Sequence, residues 1–397
     1  LPALGGLAGL DLAQPGPGMG AERLSVAGQL TLDGSGAVYL RRAEIAADSN
    51  QLRGDLDLTP GEARPKLSAE LVAGDLAFGS QGETTSSAAT GWSAEEIDVS
   101  ALSALDAEIA LTATSVRLGN LNLGETRSLI TVDRARAVID LRGAKAYGGT
   151  VAGDFVVNGR GGLSVGGRLK LAGLETQPLF ADLAGWDRLL STGDFEVEFL
   201  GVGNSVAAIM ASLKGQGSLG LGQGELRGLD IAGMLQTLDP NHVGEGQKTI
   251  FDGLAGTFVI TEGTLSNSDL KIVAPYFTAS GAGEIGLGAQ TLDYRLRPTA
   301  LAAADGSGGV MVPLLITGTW AKPKFRLDLE GIAREKMEAE AKELEKAAKA
   351  ALEEKLKEEL GVEVAPDESL GDAAQRGLED VLDDEARRML EDILNGN

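Results

Sequence analysis

The chain has 397 residues, 43% of them apolar and 4% aromatic, with 56 glycines, no cysteine and a formal net charge of -23. That length can bury a large core, but the charge repels nucleic-acid phosphates and anionic headgroups, and disulfides, thiolate chemistry and Cys-ligated metals are excluded. Glycine-rich, aromatic-poor sequence favours strands and tight turns over a helical core with aromatic pockets, and without a Gly-x-y period it is not collagen.

Residues 1–22 are rich in Gly and Pro and read as a flexible lead-in. They begin at Leu1, so a natural N-terminus with any anchor or signal segment is expected outside this sequence. No stretch approaches the roughly 20 apolar residues of a membrane-spanning helix. A first β portion follows over 23–78, with strands expected at 24–32, 37–47, 51–60 and 66–78. Period two is clear where Leu52, Leu56 and Leu58 share one parity and Arg53, Asp55 and Asp57 the other. Residues 79–104 begin with small and polar residues and read as a loop and linker.

The portion 105–250 resumes the alternation: Leu105, Ala107, Ile109 and Leu111 share a face, as do Ala137, Ile139 and Leu141, and Leu163, Val165, Leu169 and Leu171. Three short helices are expected within it: "TQPLFADLAGWDRLL", "NSVAAIMASLKG" with Asn204 as N-cap, and "LDIAGMLQTL". They read as covers or corners packed on the end of a sheet. The portion 251–329 is again β, and Pro323 between Lys322 and Lys324 marks a strand start or an edge. From Glu330 the spacing becomes helical, with a narrow stripe through Met337, Leu344 and Leu352 and Gly361 as C-cap; a second helical piece closes a charged tail over 330–397.

No reactive constellation stands out. His242 is the only histidine and reads as a loop residue, and the carboxylate runs at Glu95–Glu96 and Asp383–Glu385 read as hydrated surface. Two GxGxxG matches, at 215–220 and 281–286, lead into further strand-like sequence rather than a helix. The GxSxG match around Ser164 lies in an alternating run without the helix of a nucleophile elbow. Trp92, Trp186 and Trp320 are scattered and read as core or edge anchors. What remains is a repeated ribbon with one apolar side. Leaving such a side in water costs about 25 cal/mol per Å², so a second sheet, a closed barrel or a curled sheet holding apolar ligand tails are the available coverings.

The run "FDGLAGTFVITEGTLSNSDLKIVAPYFTASGAGEIGLGAQTLDYRL" carries Phe258, Ile260, Gly263, Leu265, Leu270, Gly281, Gly283, Ile285, Leu287, Leu292, Tyr294 and Leu296 in an apolar strand, a turn and three further strands. With "RPKLSAEL", "WSAEEIDVSAL", "AYGGTVAGDFVVNG" and "LKGQGSLGLGQGELRGLDIAGML" upstream in the same order, it resembles the AsmA family of bacterial envelope proteins. The resemblance covers residues 24–330. It implies a mainly β fold of the bridge-like lipid transfer type: a long curled antiparallel-rich β-sheet forming an open apolar groove, with short covering helices and a C-terminal helical segment. It further implies a non-catalytic, cofactor-free protein of the periplasm, attached to the inner membrane by an N-terminal anchor missing from this chain. Expected partners are phospholipids or other acyl-chain lipids and an envelope or inner-membrane protein, not nucleic acid, and the implied role is phospholipid movement and outer-membrane lipid homeostasis. The chain is shorter than the members best placed to span the periplasm. The candidate wall residues are Leu163, Val165, Leu169, Phe258, Ile260, Leu270, Ile272, Phe277, Ile285, Leu287, Leu292, Tyr294 and Leu296. The alternative is a non-catalytic envelope scaffold or assembly factor with a closed β-sandwich core and partner-binding C-terminal helices.

Overall fold

The computed structural model describes residues 18–79, 91–237, 239, 241–300, 312–360, 369, 371–376, 379, 380, 383, 387 and 388. The chain divides into two compact units, Leu1–Leu327 and Asp328–Asn397. In the first, the strands are β1 (Leu24–Leu32), β2 (Val38–Ala47), β3 (Asn50–Thr59), β4 (Lys66–Phe78), β5 (Asp106–Leu118), β6 (Leu121–Leu123) and β7 (Thr126–Asp133). They continue as β8 (Arg136–Ala146), β9 (Gly149–Asn158), β10 (Ser164–Glu175), β11 (Leu189–Val202), β12 (Lys214–Leu229) and β13 (Val243–Phe251). The last six are β14 (Gly253–Thr261), β15 (Thr264–Val273), β16 (Phe277–Gly286), β17 (Thr291–Ala300), β18 (Leu314–Thr319) and β19 (Lys322–Leu327). Helices α1 (Thr176–Ala184), α2 (Val206–Ser212) and α3 (Ile231–Thr237) interrupt them. The second unit contains α4 (Leu329–Leu360) and further helical residues at 371–376.

All nineteen strands belong to one sheet. Strands that follow one another pair antiparallel except β4 and β5, which run parallel, and except β6–β7 and β13–β14, where both strands pair with the same earlier neighbour: β5 with β6 and β7, and β12 with β13 and β14. The expected fold class is corrected in its shape. The protein is mainly β, but the sheet is neither curled nor closed: among the described residues β1 pairs with β2 and β19 with β18, and these two edge strands do not pair with each other. A curled sheet with an apolar groove is therefore not the architecture, and with one sheet there is no closed sandwich either. Period-two patterning states which side chains share a face; curvature and closure depend on twist, bulges and covering elements, which the pattern does not encode.

Local chemistry explains the details. Between β1 and β2 the register advances two residues on β1, Ala27 to Gln29, and three on β2, Glu44 to Arg41, and β2 also gains a residue against β3. The extra residue is Arg42, held at φ 46° with its N–H donated to Asp55 Oδ1 at 2.8 Å, so the bulge lies in β2. Helix α1 ends where Gly185 turns left-handed at φ 64° and donates its N–H to Ala181 O. That stops the helix well before Leu189, which already belongs to β11. The N-cap of α2 is Ser205, not Asn204: the Ser205 hydroxyl accepts from Ala208 N at 3.2 Å.

Because the strands alternate in direction, α1 and α3 sit at one end of the strands and α2 at the other. The parallel β4–β5 step requires the chain to return between them. Its described part, residues 91–105, lies at the α2 end: Trp92 Nε1 donates to Leu287 O at 2.7 Å and meets Trp320 edge-on, Ala207 N donates to Ser93 O and Ile97 N to Asn204 O. The loop reading for 80–90 and most of the lead-in fall outside the described residues, as do Gly361 and much of the second helical piece. On α4, Met337, Leu344 and Leu352 are exposed.

Candidate functional site

One feature of the sheet crosses every described strand except β6 and β13. Following the pairing from edge to edge, Leu30, Leu40, Leu56, Ala69, Ile109, Ile130, Ile139 and Phe155 lie opposite one another in turn. The row continues through Gly167, Phe199, Gly215, Ile260, Leu265, Ile285, Leu292, Gly318 and Pro323. No member is polar. The neighbouring row points to the other side of the sheet and includes Asp55, Glu70, Asp140, Asp154, Arg168, Glu198, Gln216, Glu284, Asp293 and Lys324. Cross-strand pairs such as Lys170–Glu196 at 2.9 Å and Arg168–Glu198 at 3.7 Å lace that polar side. These pairs are exposed and worth little individually; that side also carries Ala110, Leu129 and Val259, so it is mostly rather than wholly polar.

Glycines make the apolar row wide enough for its large members. A Cβ on Gly217 would meet the Phe258 ring, and one on Gly281 would meet Leu270, Leu296 and Tyr294 within 3 Å. The glycines of the two GxGxxG runs thus lie inside β12 and β16 as space for neighbouring side chains. The helices cover parts of the face, and α3 and α1 are each fixed by a buried hydroxyl. Thr249 Oγ donates to Leu229 O at 2.7 Å and accepts from Ile231 N at 3.0 Å, seating α3. Thr176 Oγ donates to Leu189 O at 2.7 Å and accepts from Ser191 N at 3.0 Å, seating α1.

The sequence candidates separate into three groups. Ile272, Phe277, Tyr294 and Leu296 are buried in one cluster with Met234 of α3, Phe251 and Leu314, and Leu270 and Ile285 pack against it half-buried. Ile260 is buried in the row itself. Val165, Leu169, Phe258 and Leu292 are half-buried on the same face, Leu169 beside Leu174 and Leu179. Leu163 and Leu287 lie outside the strands, Leu163 buried just before β10 and Leu287 in a turn: Leu163 O accepts from Gly203 N, and Leu287 N donates to Gly263 O. Tyr294 donates its hydroxyl to Asn267 Oδ1, and burial pushes its phenol up to about 12. Residues of equal standing in the row, Leu56, Ile109, Ile130, Ile139, Phe155 and Phe199, were not among the candidates. The alternation around Leu56, Ile109 and Ile139 was the signal for them; the placement of Gly167 between Phe155 and Phe199 depends on register.

The residues that imitate reactive motifs have structural roles. His242 Nε2 lies 2.8 Å from Thr237 Oγ, in a turn where Asp230 Oδ1 accepts from Gly233 N to cap α3. Ser164 Oγ accepts from Asn158 Nδ2 at 3.2 Å in the adjoining strand. A cavity of about 620 Å³ is lined by Gly153, Leu169, Val197, Gly217 and Phe258, one cross-strand row of the apolar face, together with charged residues at neighbouring positions such as Asp154, Arg168 and Glu198. Among the described residues no group of three or more His, Asp or Glu could hold a metal ion, and no helix is long and apolar enough to cross a membrane.

The fold and the row together define a broad two-sided β-sheet protein. The AsmA family profile matches residues 80–270, just under half of the chain, and supports its assignment to the AsmA family. Neither the curated proteins nor the solved structures contain a match. Proteins of this family are structural and transport proteins of the cell envelope rather than enzymes, and the assignment gives the chain a general role in envelope lipid transfer.

Proposed function

We propose that the apolar face of the sheet binds phospholipid acyl chains and shields them from periplasmic water, in support of outer-membrane lipid homeostasis. The supporting observation is the row from Leu30 to Pro323, apolar at every step across the sheet. Each methylene removed from water contributes about 0.8 kcal/mol, so a tail lying along several half-buried residues is held without directional contacts. Tails can then slide along the row, while headgroups stay at the wet rim. Val165, Leu169, Phe258, Leu270, Ile285 and Leu292 are the candidates still open enough to touch a ligand; the fully buried ones support the wall from within. Direction comes from a lipid gradient or an envelope protein partner, and attachment to the inner membrane from a segment outside this sequence.

The test is lipid content. Protein purified without detergent and extracted with organic solvent yields phospholipid by mass spectrometry, and Leu169→Asp, which places a charge on the open face, yields less while remaining folded. Wild-type protein free of lipid, and unable to take up a fluorescent phospholipid from vesicles, overturns the reading.

A further inference from the structure

The polar side of the sheet carries one patch of mixed chemistry. Over β8–β11 three cross-strand rows follow one another toward the α2 end. The first is Asp140, Asp154, Arg168 and Glu198, the second Val138, Val156, Gly166 and Leu200, and the third Arg136, Asn158, Ser164 and Val202. No register shift falls within them, so all three rows project to the same side. Leu200 and Val202 are 52% and 56% exposed. Gly166 leaves a recess in the apolar row, and Leu200 leans toward it with Cδ1 3.3 Å from the place a Cβ would take. Members of all three rows line a cavity of about 450 Å³, with Arg160 beside them.

The charges around this cavity are unevenly matched. Arg168 stands between Asp154 and Glu198, 3.7 Å from Glu198 Oε1. Arg160 donates to the carbonyls of Arg134 and Asp133 and pairs with Asp133 Oδ2 at 2.8 Å. Arg136 is exposed and has no ion-pair or hydrogen-bond partner among the described residues. Beside it, Ser164 Oγ accepts from Asn158 Nδ2, which leaves the serine hydroxyl hydrogen and the second amide hydrogen to donate. The acid nearest this row, Asp133, is taken by Arg134 and Arg160. In a chain of charge -23, a cavity with three guanidinium groups against two carboxylates is a place an anion can approach. We propose that it binds one anionic phospholipid by its head, on the side of the sheet opposite the acyl-chain row. The phosphate accepts from Arg136, Asn158 and Ser164, and the first methylenes of a tail cover Val156, Gly166 and Leu200. Successive rows on one side lie about 7 Å apart, a gap that a glycerol ester spans. A free phosphate would use the donors and leave Leu200 and Val202 in water; a wholly apolar ligand would leave Arg136 unmatched.

The test uses the full chain and dihexanoyl phosphatidylglycerol, kept below its micelle concentration so that single molecules are offered. Equilibrium dialysis should show saturable binding, and Arg136→Gln and Leu200→Asn should each weaken it roughly tenfold, through loss of a charge-assisted contact and of apolar burial respectively. Both residues are exposed, so the circular dichroism spectrum should not change. Leu169→Asp, on the other face, should leave this binding intact, and inorganic phosphate should compete only weakly. No binding by the wild type, binding indifferent to either substitution, or phosphate competing as strongly as the lipid each overturns the proposal. Binding lost with Leu169→Asp but kept with Arg136→Gln would put the lipid on the acyl-chain row and overturn it as well. Arg136→Gln thus tests this cavity and Leu169→Asp that row, and the two readings can fail separately.

Discussion

The apolar side of the sheet meets two different fates. Over β12–β18 it is closed into a core by its own large side chains and by α3, so that Met234, Phe251, Phe277, Leu296 and Leu314 are all but inaccessible. Over β1 the same alternation leaves Val26, Leu30 and Leu32 in solvent. The difference shows that period two identifies a face and says nothing about what lies on it. Stability is concentrated in the first region, while the half-buried row beyond it is left for association.

Mutations should divide accordingly. Phe277→Ala, in the closed region, is expected to cost about 3–5 kcal/mol through lost transfer energy and a residual cavity, read from denaturant midpoints. Leu30→Ala should stay within about 0.5 kcal/mol of wild type; equal losses at both sites would erase the distinction. An effect between the two, about 1 kcal/mol, is expected for Tyr294→Phe, which loses the hydrogen bond to Asn267. In wild type the Tyr294 phenol should resist ionisation at pH 10, since burial pushes it to about 12, and absorbance titration of the variant should lack that late-titrating tyrosine.

The weakest expected effect concerns how β1 is held at its start. Asp48 accepts backbone N–H bonds from Gly18, Gly20, Ala21, Glu22 and Arg23. These bonds, led by that from Arg23, bring its carboxyl to about 2 from an ordinary 3.8. A depressed carboxylate stabilises the folded arrangement fully above pH 3.8 and loses that contribution as pH falls through about 2. Hydrogen exchange of residues 18–23 should therefore show protection at pH 5 that fades toward pH 2, whereas Asp48→Ala should lack the protection at pH 5. The core amides of β16 and β17 should not follow the same curve.

Much of the strand layout was legible in sequence: 24–32 and 66–78 fall on β1 and β4 to the residue, and Pro323 does mark an edge. Local alternation sufficed there because each strand has one apolar side. The bulge at Arg42 was hidden because it depends on Asp55 accepting its N–H from the next strand. The parallel step from β4 to β5, and the return of Trp92 to Leu287, connect residues far apart in the chain. The expected curl failed for the same reason, since sheet shape is a property of many strands together. Among the candidates, parity groups Phe258, Ile285 and Leu292 with the apolar row, but it could not say that Ile272 and Phe277 would be buried or that Leu163 and Leu287 would lie outside the strands.

The most direct test of the lipid-binding face is photocrosslinking from single sites on its two sides. A photoreactive residue at Ile285 or Leu169 should capture phospholipid, and the same residue at neighbouring Glu284 or Lys170 should not. Equal capture from both sides, or none from Ile285 and Leu169 in lipid-loaded protein, would contradict the assignment of the apolar row as the lipid-binding surface.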